Sequence, residues 1–149
     1  MRAVIQRVKE AEVTVEQQVA GRIEQGIVAL VGFAETDRPD DLSWMARKIA
    51  GLRIFNDNEG KMNLSVGQVK GKILVVPNFT LYGDVSRGRR PSFAAAAEPD
   101  TAERLFDQFV EALAGQGVEI AQGEFGASMQ VSIVNDGPVT LTIDTELDR

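Results

Sequence analysis

The chain has 149 residues, 44% of them hydrophobic and 26% charged, with a net charge of −6 and neither histidine nor cysteine. That length suits a single domain, 1–149, with its own core; the missing side chains exclude a serine–histidine triad, thiol nucleophiles, disulfides and thiolate zinc sites, so no metal or cofactor is expected. No run approaches ~18 uninterrupted apolar residues, and the charged, strand-like N-terminus has no apolar signal region, so the expected location is cytoplasmic, with neither a membrane nor DNA as partner.

Residues Ala3–Val8 and Ala11–Val15 predict a first hairpin around Lys9-Glu10, and Val19–Ile23 continues the meander toward Gly26. The continuous apolar run Ile27-Val28-Ala29-Leu30-Val31-Gly32-Phe33 predicts a strand buried on both faces. After Asp37-Arg38-Pro39, the spacing of Leu42, Met45, Ile49 and Leu52 predicts a helix over 40–51, ended by Gly51. Asn56-Asp57-Asn58-Glu59-Gly60 is turn chemistry. Gly71–Val76 predicts another buried strand, running into Pro77-Asn78-Phe79-Thr80-Leu81-Tyr82-Gly83-Asp84. A second helix follows: Asp100-Thr101-Ala102-Glu103 has capping-box character, and Ala102, Leu105, Phe106, Phe109, Val110 and Leu113 form one apolar stripe before Gly115. Val118–Ile120, Gln130–Val134 and Val139–Asp144 complete the strands. Two main helices against an antiparallel or mixed sheet make an α+β domain, the sheet curled toward a barrel.

Two breaks in this pattern can carry chemistry. Pro77 ends a ladder, so the amides of Asn78, Phe79 and Thr80 are expected to turn toward a pocket, where backbone N–H groups stabilise a developing oxyanion and Thr80 adds a hydroxyl. The plainer reading is a strand terminus whose threonine satisfies a turn. Gly137-Pro138 lies between two alternating β-branched runs, and proline there predicts an interrupted ladder that exposes backbone carbonyls to a ligand. Paired carboxylates, Asp84 with Asp136, are a further acid–base candidate, against which stands the common use of aspartate in turns. Arg87, Arg89 and Arg90 fall within four residues, giving either a local phosphate grip on an acidic body or a solvated loop.

Taken together, Ile5-Gln6-Arg7-Val8, Arg53-Ile54-Phe55 through Gly60-Lys61-Met62-Asn63-Leu64, Phe79-Thr80-Leu81, Arg87-Gly88 with Arg90-Pro91-Ser92-Phe93, and Met129-Gln130-Val131 leading into Asn135-Asp136-Gly137-Pro138-Val139-Thr140 resemble the D-aminoacyl-tRNA deacylases (D-tyrosyl-tRNA deacylases), editing enzymes that remove D-amino acids from tRNA. The resemblance covers essentially the whole chain. It implies the fold of that family, a homodimer with two active sites at the interface, aminoacyl-tRNA as partner, and no cofactor. One motif departs: the family usually reads Ser-Gln-Phe-Thr where this chain has Pro77-Asn78-Phe79-Thr80, and related deacylases with proline at this place and another chiral preference exist in the wider superfamily.

The resemblance further implies that Phe79 and Thr80 form the catalytic segment and that Pro77, Asn78, Gly137 and Pro138 contact the substrate. A cis Gly137-Pro138 peptide would reach into the partner's pocket, hold the α-ammonium group and exclude an L side chain, while glycine and D-amino acids pass. Arg7 is a candidate to fix the Gly-Pro loop, because a rigid guanidinium fork suits several carbonyls at once; the plainer reading is a surface arginine on an edge strand. Arg87, Arg89 and Arg90 are candidate tRNA contacts. The 2′-hydroxyl of the terminal adenosine would assist hydrolysis in place of a protein base. The departure at Pro77-Asn78 keeps open an altered substrate preference or a non-catalytic aminoacyl-tRNA-binding module, and a carboxylate-based hydrolase of small D-amino esters is a third reading.

Overall fold

In the computed structural model, which describes residues 1–149, the apolar run at 27–33 becomes β3 (Gly26–Gly32), the middle of a six-stranded sheet. The sheet order is β2 (Gln18–Ile23), β1 (Arg2–Val15), β3, β6 (Lys72–Pro77) and β7 (Ile120–Gln122), with β8 (Gln130–Asp144) paired along β1. Its ladders are antiparallel around β1 and parallel from β3 to β6 to β7, so the sheet is mixed. A separate small hairpin joins β4 (Phe55–Asn56) to β5 (Met62–Leu64).

Alternate residues of the central strands serve two cores, which is why their sequences are apolar without a break. Ile27, Ala29, Val31, Ile73 and Val75 face helices α1 (Pro39–Gly51) and α2 (Pro99–Ala114), packing with Met45, Ile49, Phe106, Phe109 and Leu113. Val28, Leu74 and Val76 face the other way and meet Val8, Ala11, Val13 and Ile23, where the far half of β1 and β2 curl over. The curl brings β2 against β6 and β7. At the seam Gly21 passes so close that a Cβ there would sit 2.6 Å from the Gln122 carbonyl oxygen, so only glycine lets the sheet nearly close on itself.

Both helices follow their apolar stripes, and Pro39 and Pro99 open them at the position where a missing N–H costs least. In α1 the Asp41 carboxylate accepts from the Arg38 amide at 2.9 Å. Burial pushes the Asp41 carboxyl up, but that bond and the Arg149 guanidinium outweigh it and hold the group below its ordinary value. The capping box expected at Asp100–Glu103 is absent: the helix begins two residues earlier, after Glu98, which makes no side-chain cap, and Asp100 instead lies in the first turn. A short α3 (Thr145–Asp148) follows β8.

Three other expectations change. There is no hairpin at Lys9-Glu10; β1 runs straight through as one 14-residue strand. That polar pair is where β1 leaves β3 and takes up β2, and where its register with β8 shifts. The runs 130–134 and 139–144 are likewise one strand, β8, carrying the Gly-Pro step inside it at this bulge. The strand expected at Val118–Ile120 lies two residues later, because Ile120, Ala121 and Gln122 take the register opposite Ile73, Leu74 and Val75.

At the start of β1 the Met1 ammonium is completely buried, bonded to the Asp37 carboxylate and the Thr145 hydroxyl. Asp37 also accepts from the Ala34 amide at 2.8 Å. Removing the carboxylate leaves a desolvated cation with only a hydroxyl, so Asp37→Ala is expected to cost about 3 kcal/mol. In a thermal melt this should lower the midpoint by roughly 6–12 °C; an unchanged midpoint would mean that water replaces the carboxylate.

Candidate active site

The parallel strands β3 and β6 end side by side, and the last rung pairs Pro77 with Val31. Beyond it an open cavity of about 560 Å³ lies between these strand ends, the first turn of α2 and the segment from Phe125 to Ile133. Pro77, Asn78 and Phe79 form one wall; Met129, Val131 and Ile133 of the β8 side form another. None of the lining residues carries an ionisable side chain.

Past Pro77 the chain makes a single 3₁₀ turn, Phe79–Tyr82. Only one of the three expected amide donors is left for a ligand. The Asn78 amide donates back to the Val31 carbonyl at 2.7 Å, and the Thr80 amide to the Asn78 side chain at 3.2 Å. The Phe79 amide between them is the donor that remains at the rim, and the Phe79 ring is 56% exposed. The Thr80 hydroxyl donates to Asn78 Oδ1 at 2.5 Å. An amide oxygen cannot take a proton as a base does, so this contact orients Thr80 without activating it. Asn78 thus acts as the cap of the turn, a task its short amide side chain performs well.

The far end of the turn is held by residues that sequence reasoning missed. Arg2 stacks over the Tyr82 ring at 4.5 Å, donates to the Leu81 carbonyl at 3.2 Å and pairs with Asp144 at 2.8 Å. Burial of Tyr82, reinforced by the nearby Asp37 and Asp144 charges, pushes its phenol well above the ordinary value, so it stays neutral. Nothing in the local pattern around Arg2 signals a partner some eighty residues away.

Gly137 and Pro138 stand exposed on β8 with a cis peptide between them. Within one chain they do not line the cavity. Beneath them Arg7 is buried, 6% exposed, and its guanidinium donates to the Asp136 carbonyl at 3.2 Å and the Ile54 carbonyl at 2.6 Å. It also lies 3.3 Å from the Asp136 carboxylate and 3.4 Å from Asn56 Oδ1. Asn135 closes the loop from the other side, its amide donating to the Arg7 carbonyl at 2.9 Å and the Val139 carbonyl at 3.0 Å. The β4–β5 hairpin that presents Ile54 and Asn56 is itself tightened by Asp57, which accepts from the Glu59 and Lys61 amides, and by Arg53, which donates to the Asn63 carbonyl.

The proposed carboxylate pair is not assembled at the cavity. The Ser86 amide and hydroxyl hold the Asp84 carboxyl below its ordinary value and commit it to a turn, while Asp136 is occupied by Arg7. Arg87, Arg89 and Arg90 are all exposed, on the loop that follows Asp84.

The sequence profile of the D-Tyr-tRNA(Tyr) deacylase family matches residues 4–144. A D-aminoacyl-tRNA deacylase of Desulfitobacterium hafniense (strain DSM 10664 / DCB-2) is 57% identical over 146 residues, covering 98% of each chain. The protein of that name from Thermosipho africanus (strain TCF52B) is 51% identical over 146 residues, with 98% of each chain covered. Among solved structures, a c-Myc DNA Unwinding Element Binding Protein is 40% identical with a TM-score of 0.90, covering 97% of this chain and 98% of its own. A probable eukaryotic D-amino acid tRNA deacylase, 18% identical over 95% of this chain and 97% of its own, shares the fold with a TM-score of 0.81. Since the family profile runs from β1 to the end of β8 and relatives with more than half their residues identical align end to end, this chain belongs to the D-Tyr-tRNA(Tyr) deacylase family.

Proposed function

We propose that this protein hydrolyses the ester of D-aminoacyl-tRNA, and of mischarged glycyl-tRNA, to free tRNA and amino acid, and that it rejects L-aminoacyl-tRNA. The observation that carries this reading is the cavity itself: it has an amide donor at its rim, apolar walls and no ionisable side chain. Such a site suits a substrate that brings its own proton carrier next to the scissile ester, as the 2′-hydroxyl of a tRNA's terminal adenosine does. The Phe79 amide would receive the ester oxygen as charge develops on it, and Thr80 and Asn78 keep that amide in place.

Chiral selection needs a second copy of the chain. The Gly-Pro loop is exposed and anchored by Arg7, and its own cavity lies elsewhere. In a homodimer each loop would enter the partner's cavity, where its carbonyls accept from the substrate's α-ammonium group and its bulk occupies the space an L side chain requires. β8, an edge strand with Val134 45% and Leu141 38% exposed, supports association, since an edge of this kind is normally covered. The cytoplasm, where aminoacyl-tRNA is made and used, is the corresponding location, and no helix is long and apolar enough to cross a membrane.

Single-turnover hydrolysis of D-tyrosyl-, glycyl- and L-tyrosyl-tRNA at one salt concentration tests the reading. The first two should be cleaved, and the L-substrate at least about a hundredfold more slowly, a difference of about 2.7 kcal/mol. Equal D and L rates would remove the chiral wall. Faster L cleavage would assign Pro77-Asn78 an altered preference, and salt-sensitive tRNA binding without hydrolysis would make the protein a binding module.

A further inference from the structure

Phe79 has an exposed ring on a turn of only four residues, and one contact limits how that ring can move. Phe93 meets it edge-on, with centroids 5.0 Å apart and planes inclined at 75°, a favoured geometry for an aromatic pair. Phe93 also lies against Gly83, where a Cβ would come within 3.0 Å of the Phe93 ring and of the Thr80 carbonyl. Phe93 therefore touches both the beginning and the end of the 3₁₀ turn, as a wedge would.

The same residue terminates the arginine loop. Asp84 and Ser92 exchange both backbone hydrogen bonds, at 2.8 and 2.9 Å, which closes the intervening residues into a loop. Ser86 caps it through the Asp84 carboxylate, and Gly88 turns it with φ +149°. Arg87, Arg89 and Arg90 project from this loop, and none of them pairs with a carboxylate. Three uncompensated guanidinium groups on a chain of net charge −6 attract phosphate to one place. The distance in sequence from Arg90 to the wedge is three residues.

We propose that Phe93 is a positioning residue: it fixes the Phe79 ring, and with it the Phe79 amide, and it links that amide to the arginine loop. Phosphates of the tRNA acceptor end held by the loop then help order the donor that receives the ester oxygen, so binding energy far from the ester is used at the reacting centre. The proposal rests on the deacylase reading given above.

The test compares D-tyrosyl-tRNA with D-tyrosyl-adenosine, which lacks the phosphates, in wild type, Phe93→Ala, Phe93→Tyr, the triple variant Arg87→Gln/Arg89→Gln/Arg90→Gln, and Phe93→Ala combined with that triple variant. Phe93→Ala should lower the saturating rate on tRNA about tenfold while half-saturation moves less than about threefold, and Phe93→Tyr should stay within about threefold of wild type. The triple variant should raise half-saturation for tRNA at least about tenfold and lower the saturating rate on tRNA about threefold or more, while its rate on D-tyrosyl-adenosine stays that of wild type. In the combined variant the loss in rate should be smaller than the product of the separate losses, since loop and wedge act on one amide. A wild-type rate in Phe93→Ala, a Phe93→Tyr variant as impaired as Phe93→Ala, or losses that simply multiply would each overturn the proposal. Melting curves separate loss of fold from loss of positioning. If wild type cleaves neither substrate the deacylase reading fails as well, whereas an active wild type with an unaffected Phe93→Ala removes this inference alone.

Discussion

Replacing the terminal adenosine of D-tyrosyl-tRNA by 2′-deoxyadenosine is expected to slow hydrolysis roughly a hundred- to ten-thousandfold, the usual weight of a positioned proton carrier. The chain has no histidine or cysteine. The two aspartates that sequence reasoning brought forward are occupied elsewhere, Asp84 by Ser86 and Asp136 by Arg7. The Thr80 hydroxyl points its proton at an amide oxygen. What the protein offers at the cavity is an oriented amide and apolar walls, which lower the barrier only if a nucleophilic water can be deprotonated, and in the proposed mechanism the neighbouring 2′-hydroxyl carries that proton. The companion measurement is Thr80→Ala, whose rate should remain within about tenfold of wild type if Thr80 only orients the turn. A fast 2′-deoxy substrate together with a dead Thr80→Ala would move the chemistry onto the threonine.

Arg7→Ala is expected to lower stability by about 3 kcal/mol and to reduce discrimination between D- and L-tyrosyl-tRNA at least about tenfold. The guanidinium joins three segments far apart in sequence: β1, the Ile54–Asn56 hairpin and the Gly-Pro loop. Without it the Ile54 carbonyl is buried with no donor and the Asp136 carbonyl loses the contact that fixes the loop's direction. The Asp136 side chain, 38% exposed, can return to water, which keeps the loss in stability below that of a fully buried pair. Arg7→Lys should also be impaired, because one ammonium cannot span the Ile54 and Asp136 carbonyls as the fork does. Denaturant unfolding reads the first effect and the ratio of single-turnover rates the second; retained discrimination in a folded Arg7→Ala protein would free the Gly-Pro loop from any need of this anchor.

Much of the fold was legible wherever burial and period agreed. The unbroken apolar runs of β3 and β6 and the stripes of α1 and α2 were read correctly because each element is buried in the way its pattern advertises. Apart from the start of α2 and the position of β7, the misreadings of the fold fall at the bulge where β1 and β8 change register. There Lys9-Glu10 resembles a hairpin turn and Gly137-Pro138 a strand break, since a local pattern cannot distinguish a chain that turns from one that continues beside a new neighbour. The short strands β4 and β5 were visible only as a turn, two or three residues being too few to show a period. At the site, the residue types and the Pro77 break were readable, but the allocation of the Asn78 and Thr80 amides was not, because both depend on acceptors that only folding supplies. Arg7 was readable as a candidate anchor, while its partners Ile54 and Asn56 lay beyond any local window.

The pairing of β1 with β8 has a consequence for how the molecule comes to exist. These are the first and last strands in the sequence, and they share register from Arg2 opposite Asp144 to Thr14 opposite Gln130. Contacts so distant along the chain form slowly and late. During synthesis β1 must therefore wait, with one flank open, until β8 has left the ribosome. The strand that completes the sheet also carries Gly137 and Pro138, so closure of the fold and installation of the element proposed to read handedness are a single event, and a chain stalled short of β8 has neither.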